Sequence, residues 1–218
     1  MIDFERARKA MVDNQLRTSG ITDRRLLAAM GEVPREAFVP EARRTLAYID
    51  EAHPLQEGRS GRALPSPAPF AKLVQLASIQ HGDVVLDVAC ATGYSAAVLA
   101  RLAAQVVAVE SDSLMIEMAR GALAGLDNVT LIEGPLEAGA PKHGPYDVVL
   151  VEGAVAAVPE TLFSQLKEGG RLVVLIRSGV TAVANLFVRS GGEVASRAEF
   201  DASLPPLAAE RPPEEFVF

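Results

Sequence analysis

The chain has 218 residues, which suits one domain with an extension or two small ones. Hydrophobic residues make up 49% and charged residues 22%, enough to build a large core and incompatible with a disordered chain. A net charge of −7 argues against a nonspecific grip on nucleic-acid phosphates, and the single cysteine, Cys90, excludes an internal disulfide and fits a reducing compartment.

Asp3 is placed to cap a first helix running to about Arg17, with Ser19-Gly20 ending it. Arg6, Arg8, Lys9, Arg17, Arg24 and Arg25 alternate with Asp3, Glu5, Asp13 and Asp23, which reads as a solvated helical face rather than a basic patch. No apolar stretch of signal-peptide length follows the first basic residues and no run is long enough to span a membrane, so a cytoplasmic protein with neither membrane nor nucleic-acid partners is expected. Thr22 or Asp23 caps a second helix striped by Leu26, Leu27 and Met30, and Val33-Pro34 stops it. Residues 38–65 read as irregular, with a short helical patch near 42–48. Ser66-Pro67 has the form of an N-cap followed by proline at the first helical position. Phe70, Leu73, Val74 and Ala77 then recur at helical spacing and mark a core face. Residues 1–80 are thus expected as a helical and irregular extension packing on a core built by 81–218.

From Gly82 strands and helices alternate: a strand at 84–88, a helix at 93–103, a strand at 106–109, a helix at 113–124 capped by Ser111 or Asp112, and a strand at 128–132. Tyr146–Val151 is a further strand, Pro159 starts a helix, Gly169-Gly170 reads as its stop, and Arg171–Ile176 is a strand. Ala184–Arg189 and Val194–Phe200, joined across Ser190-Gly191-Gly192, read as a hairpin. The expected fold is α/β, Rossmann-like and doubly wound, with a mostly parallel sheet covered on both faces, a C-terminal antiparallel hairpin and an N-terminal helical extension.

Ligands of such sheets sit beyond the carboxyl ends of the strands. Four turns open there: Ala89–Gly93, Glu110-Ser111, Gly134-Pro135-Leu136 and Glu152-Gly153-Ala154. The first follows Asp87 and runs Ala89-Cys90-Ala91-Thr92-Gly93-Tyr94, a strand–turn–helix unit that aims backbone N–H groups at its rim. Two places where glycine is usual carry Ala89 and Ala91. Glu110 closes the next strand about twenty residues on, where an acid can hold the two hydroxyls of a ribose. Cys90 reads as a small packed side chain rather than a reactive thiol. His53, His81 and His143 have no metal-ligand spacing, so no metal is expected.

The order of elements, Thr92-Gly93-Tyr94 and Glu110 resemble class I S-adenosylmethionine-dependent methyltransferases. The chain more closely resembles the protein-L-isoaspartate O-methyltransferase family. The resemblance rests on Met11–Arg17, Val33–Pro40, His53-Pro54-Leu55, Leu86-Asp87, Thr92–Ala96, Tyr146–Val151 and Val158–Val173. It implies methyl transfer from S-adenosylmethionine to the carboxylate exposed by isomerised aspartate in damaged proteins, with S-adenosylhomocysteine as product. It also implies that Glu110, beside Ser111, binds the ribose and that residues 89–94 border the methionine part. Gly134, Pro135 and Leu136 would lie by the adenine, and Glu152 and Gly153 would line the floor. Relatives carry a Thr-Ile-Ser-Gln-Pro-like segment whose serine orients the substrate carboxylate; aligned on Pro67, that serine becomes Pro65, and Ser66 is the nearest hydroxyl. Ser66 is therefore the candidate catalytic residue. A changed acceptor, or a noncatalytic donor-binding or scaffold role, remain alternatives on the same fold.

Overall fold

The computed structural model describes residues 2–56, 62–178, 181–204 and 206–207; the end of the second expected region, 208–218, lies outside them. Asp3 caps α1 (Phe4–Met11) by accepting the Arg6 N–H. The expected single helix to Arg17 instead widens to a π turn over Val12–Leu16 and tightens to a 3₁₀ turn over Arg17–Ser19, ending at Gly20 with φ 85°. The wide turn brings Leu16 onto the face of Met11, five residues earlier, and both are fully buried. Asp23 caps α2 (Arg24–Glu32), whose Leu26, Leu27 and Met30 are buried. The helical patch is a 3₁₀ turn over Glu41–Leu46. The expectation of irregular chain up to 65 missed a short antiparallel pairing of β1 (His53–Pro54) with β2 (Ala63–Leu64). Pro67 opens α3 (Pro67–Ala77), which buries Phe70, Leu73, Val74 and Ala77.

The main sheet follows as β3 (Val84–Val88), α4 (Tyr94–Leu99), β4 (Gln105–Glu110), α5 (Ser113–Leu123), β5 (Val129–Glu133) and β6 (Tyr146–Val155). It continues with α6 (Glu160–Ser164), β7 (Leu166–Ser178), β8 (Thr181–Ser190) and β9 (Glu193–Ala202). Its spatial order is β5-β4-β3-β6-β7-β8-β9, parallel through β7 and antiparallel beyond. The hairpin turn at Gly191-Gly192 has φ 62° and 83°, a two-residue loop only glycine adopts without strain.

Two expectations need correction. Gly169-Gly170 does not stop a helix: α6 has already ended at Ser164, and both glycines lie at the start of β7, where a Cβ on Gly170 would stand 2.8 Å from the Lys167 carbonyl oxygen. The strand expected to end at Val151 continues to Val155, with a register shift between Leu150 and Ala154 that makes Glu152-Gly153 a bulge in β6 rather than a turn after it.

Successive strand residues face opposite cores. Val85, Val106, Ala108, Val148, Leu150 and Val173 pack with α1–α5, whereas Leu86, Val88, Val107, Val109, Val149 and Val174 face Tyr146, Ala140 and Leu162 of α6. One face is thus covered by five helices and the other, among the described residues, by α6 and the turns at 136–143. The order in which strands are laid down reverses at β3, from which β4 lies on one side and β6 on the other, so a crevice opens beyond the carboxyl ends of these parallel strands. No described helix is long and apolar enough to cross a membrane.

Candidate active site

The turn after β3 takes a path made for glycine, with alanine at two of its corners. Ala89 has φ 70° and Ala91 φ 50°, and Gly93 has φ 91° at the start of α4. Left-handed backbone costs an L residue about 1–2 kcal/mol. Gly93 is under a second constraint: a Cβ there would stand 2.8 Å from Leu123 Cδ1 on α5. The turn is closed by its own amides. Ala89 and Cys90 N–H donate to the Val109 carbonyl at 2.8 and 3.2 Å, Gly93 N–H to Cys90 at 2.8 Å, and Ala91 N–H to Glu110 Oε2 at 2.9 Å. Of these four N–H groups, expected to face a ligand, three hold the turn to β4 instead, and that of Gly93 closes the turn on itself.

Glu110 is wholly buried and densely bonded. Its Oε1 accepts the N–H of Ser111 at 2.8 Å and of Asp112 at 3.0 Å. Its Oε2 accepts Ala91 N–H and a guanidinium nitrogen of Arg62. Arg62, which the motif reading passed over, reaches this point because Leu55 N–H donates to its carbonyl at 3.1 Å, anchoring it at the foot of the β1–β2 pairing.

A second acidic group lies deeper. Asp87, at the end of β3, is fully buried; its Oδ2 accepts the Ser95 hydroxyl at 2.7 Å, and its Oδ1 has no partner. The bulge in β6 turns Glu152 into the same region, and Glu152 Oε1 is likewise buried without a partner. Burial pushes the Asp87 carboxyl up to about 7, opposed by the Ser95 bond. Burial, then the nearby Asp87, raises Glu152 well above the usual carboxylate range, against the pull of Arg62. Burial also pushes up the Cys90 thiol, so it is a neutral packed group.

The outer wall comes from the N-terminal region. Arg35 is fully buried; it donates from Nε to the Ala47 carbonyl at 2.8 Å and from Nη2 to the Pro65 carbonyl. Its guanidinium lies 5.0 Å from the centre of the Tyr94 ring, which also packs against Phe38 and Phe70. Thr92 turns away from the crevice and donates to the Phe38 carbonyl at 2.6 Å, joining the turn to the N-terminal region.

The result is a cleft lined by Arg62, Ala63, Leu64, Pro65, Phe70 and Leu207 on one side and Ala89, Cys90, Ala91, Tyr94, Ser95 and Glu152 on the other. Of the expected residues, Ala89, Cys90, Ala91, Tyr94 and Glu152 line it, Asp87 and Glu110 are buried behind this lining, Gly93 starts α4, and Ser111 is exposed, tied to Glu110 by its N–H. Gly134 N–H donates to the Glu110 carbonyl at 3.0 Å, which brings the Gly134-Pro135-Leu136 turn beside it. Gly153 is buried in the bulge. Ser66 occupies the N-cap position of α3, but its hydroxyl makes no capping bond, and Pro65 rather than Ser66 lines the cleft. A hydrogen bond from Leu207 N–H to the Ala154 carbonyl, 3.1 Å, brings the tail to the site; nothing in its sequence signalled this. Ser95 could have been found, since it lies eight residues after Asp87, in the first turn of α4.

The sequence matches the family described as Protein-L-isoaspartate(D-aspartate) O-methyltransferase over residues 6–210. It is 37% identical over 221 residues to a protein-L-isoaspartate O-methyltransferase of Roseiflexus sp. (strain RS-1), covering 98% of this chain and 100% of that one. With another of that name from Methylorubrum extorquens (strain PA1) it shares 42% over 173 residues, 79% of this chain and 75% of the other. A solved protein-L-isoaspartate O-methyltransferase superposes with TM-score 0.83 at 28% identity, over 93% of this chain; this chain spans 66% of that one. A Plasmodium falciparum structure described as a putative enzyme of this kind in complex with S-adenosyl-L-homocysteine has the same fold, with TM-score 0.79 at 21% identity over 92% of this chain and 98% of that one. With the family matched along nearly its whole length, this chain belongs to the protein-L-isoaspartate O-methyltransferase family.

Proposed function

We propose that this chain is an S-adenosylmethionine-dependent carboxyl methyltransferase acting on isoaspartyl residues of damaged proteins. The observation that carries the reading is a cleft, in a chain of this family, lined by the Ala89–Ala91 turn, Tyr94 and Glu152, with Glu110 bonded to Ala91 behind it.

The residues present fit that donor. Glu110 offers a buried carboxylate for a ribose diol. Asp87 Oδ1 and Glu152 Oε1 are buried acceptors lacking a partner, which an ammonium group would satisfy. Ala89 and Ala91 keep the left-handed path despite their methyl groups, so the turn retains its glycine-like shape. At Gly134 no atom stands within 4 Å of a Cβ position, leaving room beside Leu136 for a flat base. When bound, S-adenosylmethionine supplies a methyl group on a sulfonium, already activated toward a nucleophile. The chain's own residues then have to position and dry the acceptor. A carboxylate needs no general base, and Leu64, Pro65, Phe70, Tyr94 and Leu207 form a wall that strips water from it.

The packing of Met11, Leu16 and Leu26 into the core that includes Tyr94 and Leu99 supports residues 1–80 and 81–218 acting as one unit. The acidic net charge argues against nucleic acid as a partner, and the lone cysteine supports a cytoplasmic setting.

Incubation with methyl-labelled donor and paired isoaspartyl and aspartyl peptides tests the reading, with label expected on the isoaspartyl peptide alone. Label on other carboxylates instead would assign a different acceptor. S-adenosylhomocysteine binding without transfer would assign a noncatalytic role, and absence of both would defeat the donor site itself.

A further inference from the structure

We infer that Arg62 is the residue that receives the acceptor carboxylate, and that the ribose of the donor delivers it there by displacing it from Glu110; this rests on the functional reading above.

The accounting at Glu110 requires a displacement. Oε1 already accepts two backbone N–H groups, from Ser111 and Asp112, and the Ser111 hydroxyl at 3.4 Å. Oε2 accepts one backbone N–H, from Ala91, and the Arg62 guanidinium. The three amides are fixed by the sheet and its turns. On Oε2 the one partner on a flexible side chain is Arg62, so a diol that engages both carboxylate oxygens has to take the place of the guanidinium there. Donor and Arg62 compete for one oxygen.

Several observations fix what the released guanidinium would meet. Arg62 is the only basic residue lining the cleft among the described residues. Its Nε is buried with no hydrogen-bond partner, so the planar fork has an unused donor even while paired. It immediately precedes Ala63-Leu64-Pro65, the segment that forms the acceptor wall. Where relatives carry an orienting serine, this chain has Pro65, with neither a hydroxyl nor an N–H to offer. A carboxylate entering beside this segment has Arg62 as its cationic partner, and Nε with a terminal nitrogen can grip both oxygens. The arginine thus replaces the serine by a different chemistry, charge and a bidentate fork instead of a single hydroxyl. Because one side chain serves Glu110 or the acceptor, donor and acceptor binding become energetically coupled through it.

The test measures binding as well as turnover. An isoaspartyl peptide is titrated by fluorescence anisotropy into wild type and Arg62→Met, with and without saturating S-adenosylhomocysteine. S-adenosylhomocysteine is itself titrated by calorimetry. In wild type the nucleoside should tighten peptide binding about tenfold or more, and in Arg62→Met that coupling should vanish while S-adenosylhomocysteine binds more tightly than to wild type. Arg62→Lys keeps the charge without the fork and should retain competition at Glu110 but lose most of the peptide affinity. Thermal melts identify any variant that fails to fold, and Arg62→Lys then decides the question. Unchanged coupling in Arg62→Met, or weaker S-adenosylhomocysteine binding, overturns the inference. Methyl transfer by wild type is followed in parallel. If it is absent, the functional reading fails and the acceptor role falls with it, while the calorimetry still decides the competition at Glu110. If it is present and the coupling is unaltered, only the role of Arg62 is lost.

Discussion

The two sides of the cleft are held by different means. The Ala89–Gly93 side is closed by backbone hydrogen bonds to Val109, the end of a buried central strand. The Arg62–Ser66 side pairs through its main chain only with the neighbouring β1 segment, and two guanidinium groups tie it to the structure around it, Arg35 gripping the Pro65 carbonyl from behind and Arg62 reaching Glu110 in front. A surface built from main-chain bonds tolerates changes of side chain, which is how alanine can stand in left-handed backbone at 89 and 91. A surface hung on side chains can change its chemistry by one substitution.

The largest expected effect breaks the side-chain-held wall. Arg35→Met removes two charge-assisted bonds and strands the buried Ala47 and Pro65 carbonyls, which should cost about 3 kcal/mol or more of stability in chemical denaturation. If that loss is below about 1 kcal/mol, the two sides do not differ as described. Next, Glu110→Gln keeps the size of the side chain but loses the charge that faces Arg62 and the donor. Calorimetry should show S-adenosylhomocysteine affinity down about 10–100-fold, a loss of about 1.5–3 kcal/mol.

A third prediction concerns pH. Asp87 ionises in the unfolded chain at its ordinary 3.8 and in the folded chain near 7, among Ser95, Glu152, Cys90 and the more distant Arg62. Between those values the folded chain keeps a proton that the unfolded chain has released, so this group makes stability fall as pH rises from about 4 to about 7, with no further fall above. Glu152, raised in the same direction, extends the fall upward. An ammonium bound between the two carboxyls opposes it, so the rise in Tm caused by S-adenosylhomocysteine should grow from about pH 5.5 to about pH 8. Asp87→Asn should flatten both trends in a thermal melt series.

The smallest effect tests the backbone-held side. Ala89→Gly and Ala91→Gly relieve about 1–2 kcal/mol of left-handed strain each. They also loosen the unfolded chain by about 0.4–1 kcal/mol, leaving a net gain near or below about 1 kcal/mol in denaturant titration. Destabilisation by either change would show that the methyl group packs usefully against the cleft.

Much of this molecule was legible before its structure. The strands at 84–88, 106–109 and 128–132 and the helix at 113–124 lie within a residue or two of their observed bounds, and the helix signalled by Ser66-Pro67 starts at Pro67, because apolar runs and caps act over one or two turns of chain. Glu110 was legible for the same reason, as an acid closing a buried strand. Other features depended on residues far apart in sequence. Residues 53–54 pair with 63–64, Arg62 meets Glu110 across 48 positions, and Arg35 spans to Pro65 across 30. A lone arginine in a polar segment has the same local pattern whether it faces water or a buried carboxylate, and an acid after a strand looks alike in a turn and in a bulge. Local chemistry settled the elements and the edge of the sheet where a ligand would sit. Which charges were buried together there was decided only when the N-terminal region closed over that edge, because the free energy of a buried charge belongs to its neighbours in space.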